Sequence, residues 1–333
     1  MNFKDREKLK RLTHTFDLNY RLTNLYATYL ERFPEIISED IVKALTRDSD
    51  IDEKCALTYL VSEIFGLDDA RGGDDRRLIR DYISKSVTIL NAKKYTENPY
   101  YKNIRIENLK DGEWEFKWES YAPYRAVIAG DMTLCEDFSE YAPLGFFKEE
   151  FKFPAVLEGG NEWMTLTPVD LDTSEYAIER ARGKVLTFGL GLGYYAYMAS
   201  RKREVTSVTV IEKSERLIEF FKKHLLPQFP DREKITIIND DAFVYAEKKM
   251  PKENYDIAFV DTWRDVSDGA PMYKRMKPNE SLSPNTEFIY WIEGFLKSRL
   301  RALSFEELLK KCENGAPDAP ESYEEFLERL DRI

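Results

Sequence analysis

The chain has 333 residues, 43% of them hydrophobic and 33% charged, with a formal net charge of −11. That length supports a large core and about two domains, and no apolar run approaches the span of a bilayer. The opening MNFKDREKLKRL lacks the apolar core of a signal peptide, so a cytoplasmic protein is expected, and the acidic balance disfavours a nucleic acid partner.

From the N-terminus to about Leu90 the pattern is helical. Leu9, Leu12, Phe16, Leu22, Leu25, Tyr29 and Phe33 recur at three-to-four spacing before Pro34. A second helix is expected from about Ile51 to Phe65, ended by Gly66. A third follows the polar DARGGDD loop, with Leu78, Ile79, Tyr82, Ile83, Val87 and Leu90 on one face. These stripes predict an all-helical N-terminal module over residues 1–95.

Residues 96–170 change character. IRIENLKDGEWEFKWESY alternates around KDGE and predicts a β-hairpin; AVIAGDM adds a short strand. FKFPAVLEGG and EWMTLTPVDL read as irregular, and DTSEYAIERARG as a short helix opened by Asp172 or Thr173 and closed by Gly183.

From Lys184 strands and helices alternate: KVLTFG, LGYYAYMASRK, SVTVIE, SERLIEFFKKHLLPQF, KITIIND, DAFVYAEKKM and YDIAFVD. This spacing predicts an α/β fold with a parallel sheet covered on both faces, its four strands in the order third-second-first-fourth. Past Asp265 no further strand is legible. FIYWIEGFLKSRLRAL reads as a helix, and Ser304 with Glu307 and Ser322 with Glu325 read as capping boxes opening two more.

The three cysteines are far apart and form no CxxC pair, and the two histidines, His14 and His224, lie in charged helical segments. The chemistry concentrates instead at the strand ends. Gly189, Gly191 and Gly193 sit where the first strand turns into its helix, where bare backbone and free amides suit an anionic or polar ligand. A dinucleotide fingerprint would place its third glycine at position 194, which is Tyr194; the GxGxG spacing points to S-adenosylmethionine instead. Glu212 ends the second strand, nineteen residues past Gly193, where a carboxylate can accept both ribose hydroxyls or can be a solvated acid. Asp240 and Asp241 end the third strand. A carboxylate there can accept an adenine amino group beside the flat faces of Ala242 and Phe243, or Asp241 can cap the following helix. Asp261 ends the fourth strand, either facing the ligand crevice or capping the next turn.

These motifs resemble the class I S-adenosylmethionine-dependent methyltransferases over about Lys184 to Asp265. The hairpin and YDIAFVD are also similar to spermidine-synthase-type proteins, which share the fold. The resemblance implies a Rossmann-like S-adenosylmethionine-binding domain over 171–333 with a helical C-terminus. By it Gly189, Gly191 and Gly193 correspond to the glycine motif, Glu212 to the ribose-binding acid, Asp241 to the adenine-binding acid, and Asp261 to the boundary between cofactor and substrate; Leu190, Tyr194, Lys213, Asp240 and Ala242 complete the expected cofactor-binding set. The family's acid two residues before the first glycine is here Thr187.

On this reading Asp261 and Trp263 line the pocket of a small-molecule methyl acceptor, Asp261 taking the acceptor's proton and Trp263 offering an aromatic face to the cation. Of Tyr194, Tyr195 and Tyr197, which share one helix, about one is expected to reach the site. The DTWRD turn is similar to the metal-binding turn of catechol-type methyltransferases, but the later Asp-Asn pair that site needs does not follow, so no metal is expected. Two rivals stand: aminopropyl transfer from decarboxylated S-adenosylmethionine, against which Leu192 stands where that family has Asp, and a non-catalytic module that binds an adenosyl ligand.

Overall fold

The computed structural model describes residues 3–106 and 108–331; Glu107, in the segment leading into the expected hairpin, lies outside the described residues, as do residues 1–2 and 332–333. The backbone divides into two units, each built from separate stretches: Met1–Leu90, Ala122–Glu149 and Gly294–Ile333 in one, Asn91–Tyr121 and Glu150–Glu293 in the other. Each of the expected segments 1–95, 96–170 and 171–333 therefore crosses from one unit to the other.

In the first unit the expected leading helix runs Phe3–Arg32, and its Leu18, Leu22, Tyr26 and Tyr29 share a core with Leu57, Val61, Tyr82 and Phe146. The helix Glu53–Ile64 is capped by Asp52, whose side chain accepts the Cys55 amide, while Glu39–Ser49 is a helix that sequence reading passed over. The third helical stretch widens to a π-turn over Leu78–Ile83 and stops at Ser86. Val87–Leu90, expected on that helix, is a strand parallel to Leu144–Phe147, which also pairs with Ala126–Ile128. The β-branched run VTI favours the pleated surface once the helix ends, so this module is not all-helical. Helix Glu293–Glu313 passes through Ser304 without a break, correcting the first expected capping box. Ser322 does cap Tyr323–Leu330, accepting the Glu325 amide.

The second unit holds two sheets. Strands β1 (Leu109–Asp111), β2 (Trp114–Tyr121), β3 (Phe151–Glu158) and β4 (Asn161–Thr165) form an antiparallel sheet in chain order. Asp111 pairs with Trp114 across Gly112 and Glu113, the hairpin expected at KDGE. The stretch expected to be irregular is a second hairpin, β3–β4, turning at Gly159 and Gly160. Helix α1 (Pro168–Arg180) then begins four residues before the expected Asp172: Thr167 caps it and Asp170 returns the bond, a capping box.

The parallel sheet follows: β5 (Gly183–Phe188), α2 (Tyr194–Ser200), β6 (Val205–Glu212), α3 (Glu215–His224), β7 (Ile235–Asn239), α4 (Ala242–Lys248), β8 (Ile257–Val260), α5 (Val266–Met276) and β9 (Glu287–Tyr290). Its order is β7-β6-β5-β8-β9, all parallel, so the third-second-first-fourth order stands and a fifth strand extends it. Phe288, Ile289 and Tyr290, expected in a helix, are that fifth strand. This is the Rossmann-like α/β arrangement, whose order reverses between β5 and β8, the place where such sheets hold ligands. Among the described residues no helix is long and apolar enough to cross a membrane.

Candidate functional site

The strand register brings the candidate residues to one edge of the sheet. Phe188 at the end of β5 lies level with Ile211 of β6 and Val260 of β8. The ladder continues one residue further. The Gly189 amide donates to Ile211 O at 2.8 Å, Asp240 to Glu212 O at 3.1 Å, Asp261 to Phe188 O at 2.9 Å and Trp291 to Val260 O at 3.0 Å. Gly189, Glu212, Asp240, Asp261 and Trp291 therefore leave their strands side by side.

Between β5 and β8 the turn is forced to be glycine. Gly189 has φ +98°, and a Cβ there would fall on the carbonyl oxygen of Asp261. Gly191 (φ +48°) faces Met164 of β4: a Cβ at this position would fall on the Met164 thioether. Gly193 (φ +74°) opens α2 and packs on Phe221.

Glu212 is buried, and both of its oxygens hold backbone amides: Leu190 N–H at 3.1 Å and Ser214 N–H at 2.7 Å. Burial raises its pKa and those amides oppose the rise. Lys213 beside it is exposed, and its carbonyl accepts from Asn239. Asp240 pairs with Lys249 at 2.6 Å, which holds its carboxyl below the ordinary range. Asp241 Oδ1 accepts the amides of Phe243 and Val244 at 3.0 and 3.1 Å, so it performs the helix-capping role. Ala242 is the first residue of that helix, and Phe243 carries the Arg275 guanidinium over its ring at 4.0 Å.

A cavity of about 20 Å³ opens at the reversal point. Its wall includes Gly189, Leu190, Tyr194 and Asp261 from the expected set, with Thr187 below them. It also includes Met164, Tyr195, which is one of the three helix tyrosines, and two residues that sequence reasoning did not assign to it, Asp170 and Trp291. Trp263 is not in that wall; its ring is buried and stacked with Tyr290 at 6.4 Å. Trp291, at the end of the unforeseen fifth strand, supplies the aromatic wall instead. Two of the three helix tyrosines reach the cavity. Tyr194 takes a hydrogen bond from Asn98, Tyr195 packs on Phe259 with its hydroxyl buried and unpartnered, and Tyr197 is core. Asp265 does no work here: with Asp268 it forms the capping box of α5.

The electrostatics are one-sided, since no Lys, Arg or His among the described residues lines the cavity. Asp170 is buried, and its Oδ2 accepts both the amide and the hydroxyl of Thr167 at 2.7 Å. Burial nevertheless pushes its pKa up to about 6. Asp261 makes no side-chain hydrogen bond among the described residues. Desolvation of its carboxyl, followed by the charges of Asp170 and Glu212, pushes its pKa up to about 8. Asp170 had a legible signal, the Thr-x-x-Asp of its capping box.

No protein-family model matches the chain, and no curated protein matches it. Among solved structures it is similar to the methyltransferase domain of bacterial CtHen1-C, at 20% identity over 33% of this chain and a TM-score of 0.24. The chain spans about half of that protein's length, 54%. It is also similar to spermidine synthase from Thermotoga maritima, at 14% identity over 61% of this chain and 74% of that one, with a TM-score of 0.31.

Proposed function

We propose that the chain transfers a methyl group from S-adenosylmethionine to a small-molecule acceptor, with Asp261 on the acceptor side. The supporting observation is Asp261 itself: a half-buried carboxyl whose pKa desolvation pushes up to about 8, with no side-chain hydrogen bond among the described residues, and a place beside the glycine turn where the strand order reverses. Strongly shifted groups in a cleft are candidates for proton transfer.

The donor set suits an adenosyl ligand. The turn from Gly189 to Gly193 presents bare backbone, Glu212 lies against it, and Tyr195 keeps a buried hydroxyl unpaired. When bound, S-adenosylmethionine supplies a methyl group on a cationic sulfur and departs as a neutral thioether. Asp261 would take the proton that the acceptor heteroatom gives up on gaining that methyl group, the thioether being the leaving group. In-line transfer depends on alignment, and the walls formed by Tyr195 and Trp291 restrict where an acceptor can lie. A cation beside Asp261 favours its carboxylate, lowering the pH at which it accepts a proton.

One observation favours a second reading, aminopropyl transfer. Asp170 and Asp261 line the cavity, Glu212 adjoins it, and no cationic side chain among the described residues lines it. A ligand with ammonium and sulfonium charges but no carboxylate suits that field better than one with a carboxylate. Calorimetry with S-adenosylmethionine, its decarboxylated form and S-adenosylhomocysteine separates the readings. Methyl transfer requires the first to bind; preference for the second favours aminopropyl transfer; binding with no transfer to any acceptor leaves a non-catalytic module.

A further inference from the structure

We infer that Met164 controls entry to the glycine turn: its thioether competes with an adenosyl ligand for the face of Gly191 and the amide of Leu192, and must swing away before the ligand seats. This role rests on the adenosyl reading above.

The first observation is steric. The Met164 sulfur lies where a side chain on Gly191 would lie, so the bare backbone at the centre of the turn is covered by a residue of the neighbouring hairpin. The second is a hydrogen bond: the Leu192 N–H donates to Met164 Sδ at 3.3 Å. A thioether is a weak acceptor, so an oxygen or nitrogen acceptor from a ligand exchanges for it at little cost. The third is space. With Met164 in its wall the cavity measures about 20 Å³, room for about one water, whereas sites for small molecules run to roughly 300–1,000 Å³.

The surrounding structure lets the residue move. Strand β4 is an edge of its sheet, paired only with β3, and its register slips so that Trp163 is left opposite no partner, one residue before Met164. Asn161, Glu162 and Trp163 are exposed, and Trp163 packs edge-on against Trp114 at 5.4 Å. Methionine has three rotatable side-chain bonds and repacks readily. Leu166, two residues on, remains buried in the cavity wall and gives the movement a fixed end.

The test compares the parent with Met164→Ala and Met164→Leu by calorimetry, using S-adenosylmethionine and its decarboxylated form as probes. It also follows the Met164 methyl resonance in labelled parent protein. The alanine variant is expected to bind at least about 5-fold more tightly than the parent, the leucine variant no more tightly than the parent, and the methyl resonance to shift on titration. Binding by the alanine variant alone supports the role as well. If parent and alanine variant bind equally, or the resonance stays in place while ligand binds, Met164 does not control entry and the adenosyl reading survives. If neither protein binds either probe, the adenosyl reading fails and this role falls with it.

Discussion

The carboxylate of Glu212, at the end of β6, accepts the amide hydrogen of Leu190, in the turn after β5, at 3.1 Å. Its other oxygen accepts the Ser214 amide at 2.7 Å, so one buried acid ties two strand-end loops together. Glu212→Gln places an amide NH₂ against one of two backbone donors. It is expected to lower unfolding free energy by about 1–3 kcal/mol, as for a buried hydrogen bond left unpaired. The same variant is expected to weaken S-adenosylmethionine binding. Unchanged stability in denaturant unfolding would show that neither amide depends on the carboxylate.

Asp241 separates capping from ligand binding. Asn caps helices about as well as Asp, whereas Ala loses the cap at about 0.5–2 kcal/mol. Asp241→Ala is expected to destabilise the protein by that amount and Asp241→Asn hardly at all. If the second carboxylate oxygen also holds an adenine amino group, Asp241→Asn weakens S-adenosylmethionine binding while leaving the melting temperature in place. Equal affinity for the Asn variant and the parent would confine Asp241 to capping.

Asp261 gives stability a pH dependence whose sign follows from its raised pKa. The folded chain keeps a proton, up to about pH 8, that the unfolded chain sheds near the ordinary carboxyl value of about 4. Across that window the folded state binds more protons, so stability falls as pH rises. Asp261→Asn removes this loss. Relative to the variant, the parent is expected to lose on the order of 2–5 kcal/mol between pH 4 and pH 8. Parallel stability curves for the two proteins would show that the carboxyl is not desolvated.

The parallel sheet was legible up to its fourth strand because each strand there ends abruptly: glycines follow Phe188, and acids end or follow the next three. The fifth was not, because Phe288, Ile289 and Tyr290 run without a turn residue into Trp291 and the apolar spacing of the helix from Glu293. Four apolar residues carry no periodicity that distinguishes strand from helix. Val87–Leu90 was absorbed into a helix in the same way. The second hairpin was hidden by Pro154, which belongs near chain breaks or sheet edges. It sits in β3 just beyond Ala155, which forms the last pair with β4. The site divided along the same line. The glycines and acids lie at strand ends that the sequence pattern marks, whereas Asp170, Met164 and Trp291 lie on or beside elements that it does not mark. Trp263, on the loop after the fourth strand, is buried rather than turned to the cavity.

The two tryptophans after the last strands separate cavity wall from core. Trp291→Ala opens the cavity and is expected to raise the Michaelis constant for the acceptor with a modest loss of stability. Trp263→Ala removes a buried ring stacked on Tyr290 and is expected to cost about 3–5 kcal/mol of stability. Thermal unfolding of both variants, with acceptor titration of the first, checks the assignment. A larger stability loss at Trp291 than at Trp263 would reverse it.

The most direct measurement pairs binding with transfer in the same two proteins, parent and Asp261→Ala. Calorimetry with S-adenosylmethionine is run beside transfer of its labelled methyl group into a small-molecule metabolite extract. The parent is expected to bind the cofactor and label an acceptor, while Asp261→Ala binds within a few-fold of the parent and loses most of the transfer. A parent that binds no S-adenosylmethionine, or an Asp261→Ala variant that transfers the methyl group as fast as the parent, would contradict the assignment of Asp261 to the acceptor side of a methyl-transfer site.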